Sequence, residues 1–502
     1  MSGMGTRFSR RRLLSGGAGL AAGAAVLAGC GSRSTATATK SGLDQLARQM
    51  DGQLLRGGDQ GFLAFATPTA MRYARSPQAV AVCASTADVR RALAVVRAEQ
   101  LPFAVRCGGH NYAGYSTCDG LVISVGDMKG IEVQADGSVK VGAGAVLGDV
   151  AAALEPNNVM IPSGRCNAVG ISGLTLGGGW GFYARKYGLT CDSLIETEIV
   201  AADGSVLTAS ATENSDLFWA LRGGGGGNFG VNTSFTFRTF PTAEPVSVFQ
   251  MVWWDWSQFG SAIEALQRIS VEGPHELSME VVTAPQNNRP VDGSNPLKLS
   301  AVGHYFGPSS ELASLLAPVT AVHPPAESEL LDLDFWTAHQ YLADATPVGW
   351  FSVQSSFMAA PFSDAGITEL LRWIQRWPGG SVAPDSNWGF FTMGGQVNAL
   401  APGATAYVHR NAELMLKFET DWASADPATE TSVAEAWLRE FYAAMQPHVL
   451  PQAYQNFINR DLPNWPRAYY GANLERLVNI KRHYDPDNVF AFAQSIPLQI
   501  PT

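Results

Sequence analysis

Two glycine-rich stretches constrain this chain more than any other feature: Arg106-Cys107-Gly108-Gly109-His110, and Gly164-Arg165-Cys166 running on to Gly177-Gly178-Gly179. A residue without a Cβ lets the backbone approach a ligand closely, and successive free amides make an anion-holding concavity suited to a pyrophosphate. His110 at the mouth of the first loop and Cys166 at the start of the second are two nucleophiles aimed at one ligand. No Gly-x-Gly-x-x-Gly lies between a strand and a helix, so the pattern is not that of a Rossmann binder.

The surrounding sequence alternates short strands, helices and tight turns. Ser85 to Glu99 reads as a helix capped by Ser85 or Thr86, with Val89, Leu93 and Val96 on one face, and Pro102 ends it. Phe103-Ala104-Val105 and Leu121 to Val125 read as strands. Asp136-Gly137 and Asp203-Gly204 each sit between alternating runs and mark two hairpins. Val231 to Phe237 alternates again. From Val246 the character shifts to strand-like runs mixed with helices over Ile367–Trp377 and Thr431–Met445. Without a regular βαβ repeat, the fold class is α+β.

The chain has 502 residues and 46% hydrophobic content, enough for one large core or two ordinary ones. A net charge of -10 excludes a nucleic-acid backbone as partner and otherwise serves solubility. The basic N-terminus, Ser9-Arg10-Arg11-Arg12-Leu13-Leu14, precedes an apolar run from Ser15 to Gly29 that is too short for a permanent membrane helix. It has the form of a twin-arginine export signal, so the chain is expected to be exported, as an extracellular or membrane-anchored protein. Leu27-Ala28-Gly29-Cys30 has the form of a lipobox, which makes Cys30 a candidate lipid anchor; a plain cleaved signal is the alternative. Residues 31–40 read as a tether. Five cysteines remain, and free thiols are expected for those not engaged with a ligand, if the chain folds in a reducing compartment. No His-x-x-x-His spacing points to a metal.

Taken together, the blocks from Pro77 to Phe240 and the closing Tyr469-Tyr470-Gly471-Ala472-Asn473 and Asp485-Pro486-Asp487-Asn488 segments resemble the berberine bridge enzyme-like FAD-linked oxidases. The resemblance implies a two-part FAD-binding domain of the PCMH type over residues 41–241. It also implies an α+β substrate domain over 242–449 whose sheet covers the flavin, and a segment over 450–502 that returns to the FAD domain. It implies FAD bonded covalently through both His110 and Cys166, with the cofactor held by Arg106, Cys107, Gly108, Gly109, Asn111, Gly164, Gly170, Ser172, Gly173, Gly177, Gly178, Gly179, Val231, Tyr470 and Asn473. Cys166 must be a thiolate to bond, and Arg165 beside it could lower its pKa.

Tyr454 is the candidate proton acceptor, since Ala453-Tyr454-Gln455-Asn456-Phe457 is similar to the family's Tyr-x-Asn-Tyr strand with Phe457 in place of the second Tyr. Trp180 stands where several relatives carry a Tyr, and an indole cannot accept a proton. Tyr112, Gln396 and Asn398 are further candidate catalytic or pocket groups. In the family that the chain resembles, the position of Gly164 lies beside the flavin edge that oxygen approaches, and a glycine leaves that space open; a turn glycine chosen for its backbone is the alternative. The implied activity is hydride removal from a C–H next to O or N, with a sugar, oligosaccharide or other secondary alcohol as small-molecule substrate and O2 reduced to H2O2. The alternatives are a dehydrogenase using another acceptor and a flavin-binding envelope lipoprotein with little turnover.

Overall fold

The computed structural model describes residues 40–287, 289–291, 295–344, 348–380 and 386–500. The export signal, the Cys30 anchor and most of the tether lie outside the described residues. Three sheets carry the fold. The first has four strands in the spatial order Gln53–Leu55, Ala79–Val82, Leu121–Ser124, Phe103–Arg106; the last three run parallel. The helix Thr86–Glu99 connects two of them, so the chain contains one βαβ unit. Ser85 caps that helix by accepting from the Asp88 N–H, and Val89, Leu93 and Val96 are buried together.

The second sheet has five strands in the order Ile131–Val133, Val139–Gly142, Gly230–Phe237, Leu194–Ala201, Val206–Ser210, all antiparallel. Both expected hairpins are present in it, with Gly137 and Gly204 at positive φ in the turns. The two sheets share one apolar core, in which Ile123, Val125, Val139 and Val141 pack with Ile199, Val231 and Phe235.

The third sheet has seven antiparallel strands in the order Glu327–Leu333, Val246–Trp253, Leu297–Tyr305, Leu277–Pro285, Trp388–Thr392, Leu414–Trp422, Trp350–Met358. Successive side chains of a strand point to opposite faces. On Leu414–Trp422, Leu414, Leu416 and Phe418 therefore enter a core made with the helices Trp256–Glu272, Ser309–Thr320, Asp364–Ile374 and Ala428–Met445. Lys417 on the same strand faces a cavity on the other side. Leu277–Pro285 repeats the pattern, with Met279 and Val281 in the core and Glu280 on the cavity.

Both expected helices of this region form, but they begin three residues earlier than the apolar periodicity predicts, at Asp364 and Ala428. The cause is local: Ser363 accepts from the Gly366 N–H at the first helix and Pro427 precedes the second, so a serine cap and a proline set the two boundaries.

Candidate functional site

Between the first two sheets and the cavity face of the third runs an elongated cavity that offers about 320 Å³ to the centres of water molecules. One end is built by the two loops singled out in the sequence. The His110 Nε2 and Cys166 Sγ atoms are 3.9 Å apart and both line the cavity. The loops meet because they lack side chains where they touch. A Cβ at Gly170 would lie 2.3 Å from Cys107 Sγ, and one at Gly108 would lie 2.7 Å from the Gly170 nitrogen. Cys107, Gly109, Asn111, Gly164, Ser172, Gly173 and Tyr470 also line the cavity. The Asn111 side chain is turned back to accept from the Ala113 and Tyr115 N–H groups, which fixes the loop behind His110.

Other expected residues lie elsewhere. Gly177, Gly178 and Gly179 do not line the cavity: a Cβ on each would strike Asn456, Tyr407 or Thr190 respectively, so these glycines serve packing. Arg106 is buried beneath Gly109, where it donates to the Thr67 carbonyl, and supports the loop from behind. Val231 points into the core, while its strand neighbours Gly230 and Asn232 face the cavity. Asn473 donates to the carbonyls of Pro402, Thr405 and Ala406 and ties down that loop. Asn398 binds the Ala412 carbonyl and Glu413, and Gln396 is exposed; neither lines the cavity.

The glycine run that does line it is Gly225-Gly226-Gly227. A Cβ on Gly226 would approach Gly173 Cα to 3.9 Å, and one on Gly173 would meet nothing within 4 Å, so this loop and the short helix Ile171–Leu176 draw together at a glycine-lined waist of the cavity. Phe490, Ala491, Phe492 and Gln494 of the C-terminal segment close the same region. Tyr115 Oη, Ser116 Oγ and Gln494 Oε1 are buried on the walls without a protein hydrogen-bond partner. Buried polar atoms in that state need a ligand or water. A long, part-apolar cavity with a glycine waist, orphaned polar atoms and two nucleophiles at one end fits FAD.

Above the nucleophiles stands an aromatic wall. His110 lies against Tyr112 with ring centroids 5.4 Å apart, Tyr112 stacks on Phe457 at 5.8 Å, and Trp180 meets Phe391 edge-on at 4.7 Å. The Trp180 Nε1–H is spent on the Thr392 carbonyl. Tyr454 completes the wall. Its phenol oxygen accepts from the backbone N–H of Gly179 at 3.0 Å and of Trp180 at 3.3 Å, and from Asn456 Nδ2 at 3.1 Å. Three donors converging on an oxygen with two lone pairs form a site suited to a phenolate. Burial nevertheless pushes the Tyr454 phenol up to about 12, outweighing those donors. Burial likewise raises Tyr112 well above the usual phenol range, helped by Glu419.

Charged groups complete the site, and most of them went unremarked in the sequence. Arg165, Glu280, Asp344 and Lys417 all line the cavity. The Arg165 guanidinium is 2.6 Å from Glu280 and 3.5 Å from Asp344, so carboxylates already engage the cation expected to assist Cys166. Cys83, Cys107, Cys118 and Cys191 are free thiols, in line with the sequence expectation.

Comparison with known proteins places these features in a family. Residues 77–210 match the FAD binding domain model and residues 453–497 the berberine and berberine-like model. The FAD-linked oxidoreductase YgaK of Bacillus subtilis is 31% identical over 89% of this chain and 97% of its own length. Glucooligosaccharide oxidase of Sarocladium strictum is 30% identical over 85% of this chain and 88% of its own. Among solved structures, BBE-like 1 of Physcomitrella patens superimposes with a TM-score of 0.82 at 28% identity, covering 91% of this chain and 99% of its own. The glucooligosaccharide oxidase of Acremonium strictum, described with a 6-S-cysteinyl, 8α-N1-histidyl FAD, gives 0.79 at 25% identity over 91% of this chain and 99% of its own. The two-loop cavity, the covering sheet and these matches together establish that the chain belongs to the berberine bridge enzyme-like family and is an FAD-linked oxidoreductase with the PCMH-type fold.

Proposed function

We propose that this protein is an oxidase that takes a hydride from a C–H bond next to oxygen, in a sugar, oligosaccharide or other secondary alcohol, and reduces O2 to H2O2, with FAD bonded through both His110 and Cys166. The observation that carries the reading is the 3.9 Å approach of His110 Nε2 and Cys166 Sγ at one end of an FAD-sized cavity. Bound FAD supplies the two-electron acceptor for the hydride. The chain's own groups do the rest. Tyr454 accepts the substrate hydroxyl proton, its oxygen held by Gly179, Trp180 and Asn456. Tyr112, Phe391, Phe457 and Trp180 wall the reacting end against bulk water. Gly164 keeps the wall beside Cys166 thin. A Cβ there would come to 3.4 Å from Leu147 Cδ1 and the Trp180 carbonyl, and larger groups would fill the space proposed for oxygen.

Acid precipitation tests the attachment. The yellow colour is expected to stay with the wild-type pellet and to leave it only when His110→Ala and Cys166→Ala are combined. A colourless wild-type pellet would refute attachment. Peroxide release under air on a panel of oligosaccharides and secondary alcohols tests the rest, and dye reduction only under nitrogen would point to another acceptor.

Export through the twin-arginine route with lipidation at Cys30 is part of the same proposal, carried by Arg10-Arg11-Arg12 and Leu27-Ala28-Gly29-Cys30. Replacing Arg10, Arg11 and Arg12 with Lys should retain the protein in the cytoplasm. Unchanged export would exclude that route.

A further inference from the structure

The charged groups at the reacting end form an unbroken alternating series. Asp344 Oδ2 lies 3.5 Å from the Arg165 guanidinium, which lies 2.6 Å from Glu280 Oε2. Glu280 in turn acts electrostatically on Lys417, whose Nζ is 2.5 Å from Glu419 Oε2. Each cation therefore has a carboxylate on either side, and neither is left to neutralise an anionic ligand. With Asp421, which also acts on Lys417, four carboxylates stand against two cations and leave the series net negative.

The members differ in access. The side chains of Glu280, Lys417 and Glu419 are 6%, 14% and 15% exposed, whereas that of Asp344 is 48% exposed. Asp344 is thus the charge a ligand entering the cavity meets first. Its place is built into the fold: the Asp344 N–H donates to the Arg165 carbonyl, and Asp344 pairs with Cys166 in a parallel bridge, so its position is tied to the loop carrying the cysteine. The aromatic wall of Tyr112, Phe391, Phe457 and Trp180 lines the same end, and aromatic rings favour a cation as neighbour.

We propose that Asp344 is a specificity determinant that makes this cavity prefer a substrate bearing a protonated amine over its neutral hydroxyl counterpart, and reject one bearing a carboxylate. The inference rests on the reading of this cavity as the substrate site. Discrimination comes as much from the repulsion of the wrong ligand as from the attraction of the right one. Inside a partly desolvated cavity a net charge is weighted far more than in water.

The test uses the flavin-loaded enzyme and three disaccharides: cellobiose, the unacetylated glucosamine dimer, and cellobiouronic acid. Binding is followed by tryptophan fluorescence under nitrogen at low ionic strength. Relative to cellobiose, the glucosamine dimer is expected to bind about tenfold tighter and the uronic acid about tenfold weaker. Asp344→Asn should compress this spread by at least about threefold, and Asp344→Glu should restore it. Uronic acid binding as well as cellobiose, the amine binding worse, an unaltered spread in Asp344→Asn, or no binding of any of the three would each overturn the proposal. Flavin bleaching on addition of the sugars reads the proposed oxidase chemistry separately. If none of the three bleaches the flavin, the chosen sugars are not substrates, while their order of binding still decides the role of Asp344.

Discussion

Tyr454→Phe is expected to lower kcat by about two to four orders of magnitude while leaving substrate affinity nearly unchanged. The substitution removes only the oxygen that Gly179, Trp180 and Asn456 hold, and keeps the ring that packs edge-on against Phe457. The expected pH dependence follows from the direction of the Tyr454 shift. Burial pushes the phenol up to about 12, so the proton-accepting form is the minor one near neutrality and grows tenfold per pH unit. For the wild type, kcat/KM should therefore climb with unit slope and reach no plateau below about pH 10. The slope should vanish in Tyr454→Phe. A variant that keeps wild-type kcat would remove Tyr454 from the chemistry.

Lys481→Met is expected to destabilise the protein by about 3–5 kcal/mol and to weaken FAD retention. Lys481 and Asp485 are both fully buried. The ammonium donates to Asp485 at 2.6 Å, to the Asn228 carbonyl at 2.7 Å and to the Phe490 carbonyl at 2.8 Å. Removing it leaves a buried carboxylate whose remaining partners include the Val489 and Phe490 N–H groups. The two carbonyls belong to segments that line the cavity, Gly225 to Asn228 on one side and Phe490 to Phe492 on the other. Loss of the lysine should thus be felt at the cofactor as well as in the melting temperature. Combining Lys481→Met with Asp485→Asn should recover part of the loss, because it removes the unpaired charge. Equal melting temperatures for wild type and Lys481→Met would show that the pair holds nothing.

The nucleophile pair was legible in the sequence because its signal is local: His110 and Cys166 each stand on a glycine loop, and the glycines at 108 and 170 are needed for the loops to touch. The hairpins and the helix Thr86–Glu99 were legible for the same reason, since Asp-Gly turns and a serine cap act within a few residues. Glycine by itself misled. Gly177-Gly178-Gly179 reads as a phosphate cradle, yet it answers to the bulk of Asn456, Tyr407 and Thr190, residues distant in sequence. The cavity uses part of the longest glycine run in the chain, Gly223 to Gly227. Gln396 and Asn398 lie off the cavity, since a polar side chain says nothing of which way its loop turns. Glu280 and Lys417 left a signal that could have been read: a lone charge between apolar neighbours, in Met279-Glu280-Val281 and Leu416-Lys417-Phe418, marks a strand whose second face meets something other than the core.

The strict alternation of the seven-stranded sheet separates two kinds of inheritance. On Leu414–Trp422, Leu416 and Phe418 keep the domain folded while Lys417 between them lines the cavity. A substitution at Lys417 or Glu280 can therefore retune what is recognised without opening a void among Leu416, Phe418, Met279 and Val281. A mutational library aimed at new substrates should accordingly vary the positions of this face that line the cavity, such as Glu280 and Lys417, together with their ion-pair partners, and leave Met415 and Phe357, buried on the same face, untouched.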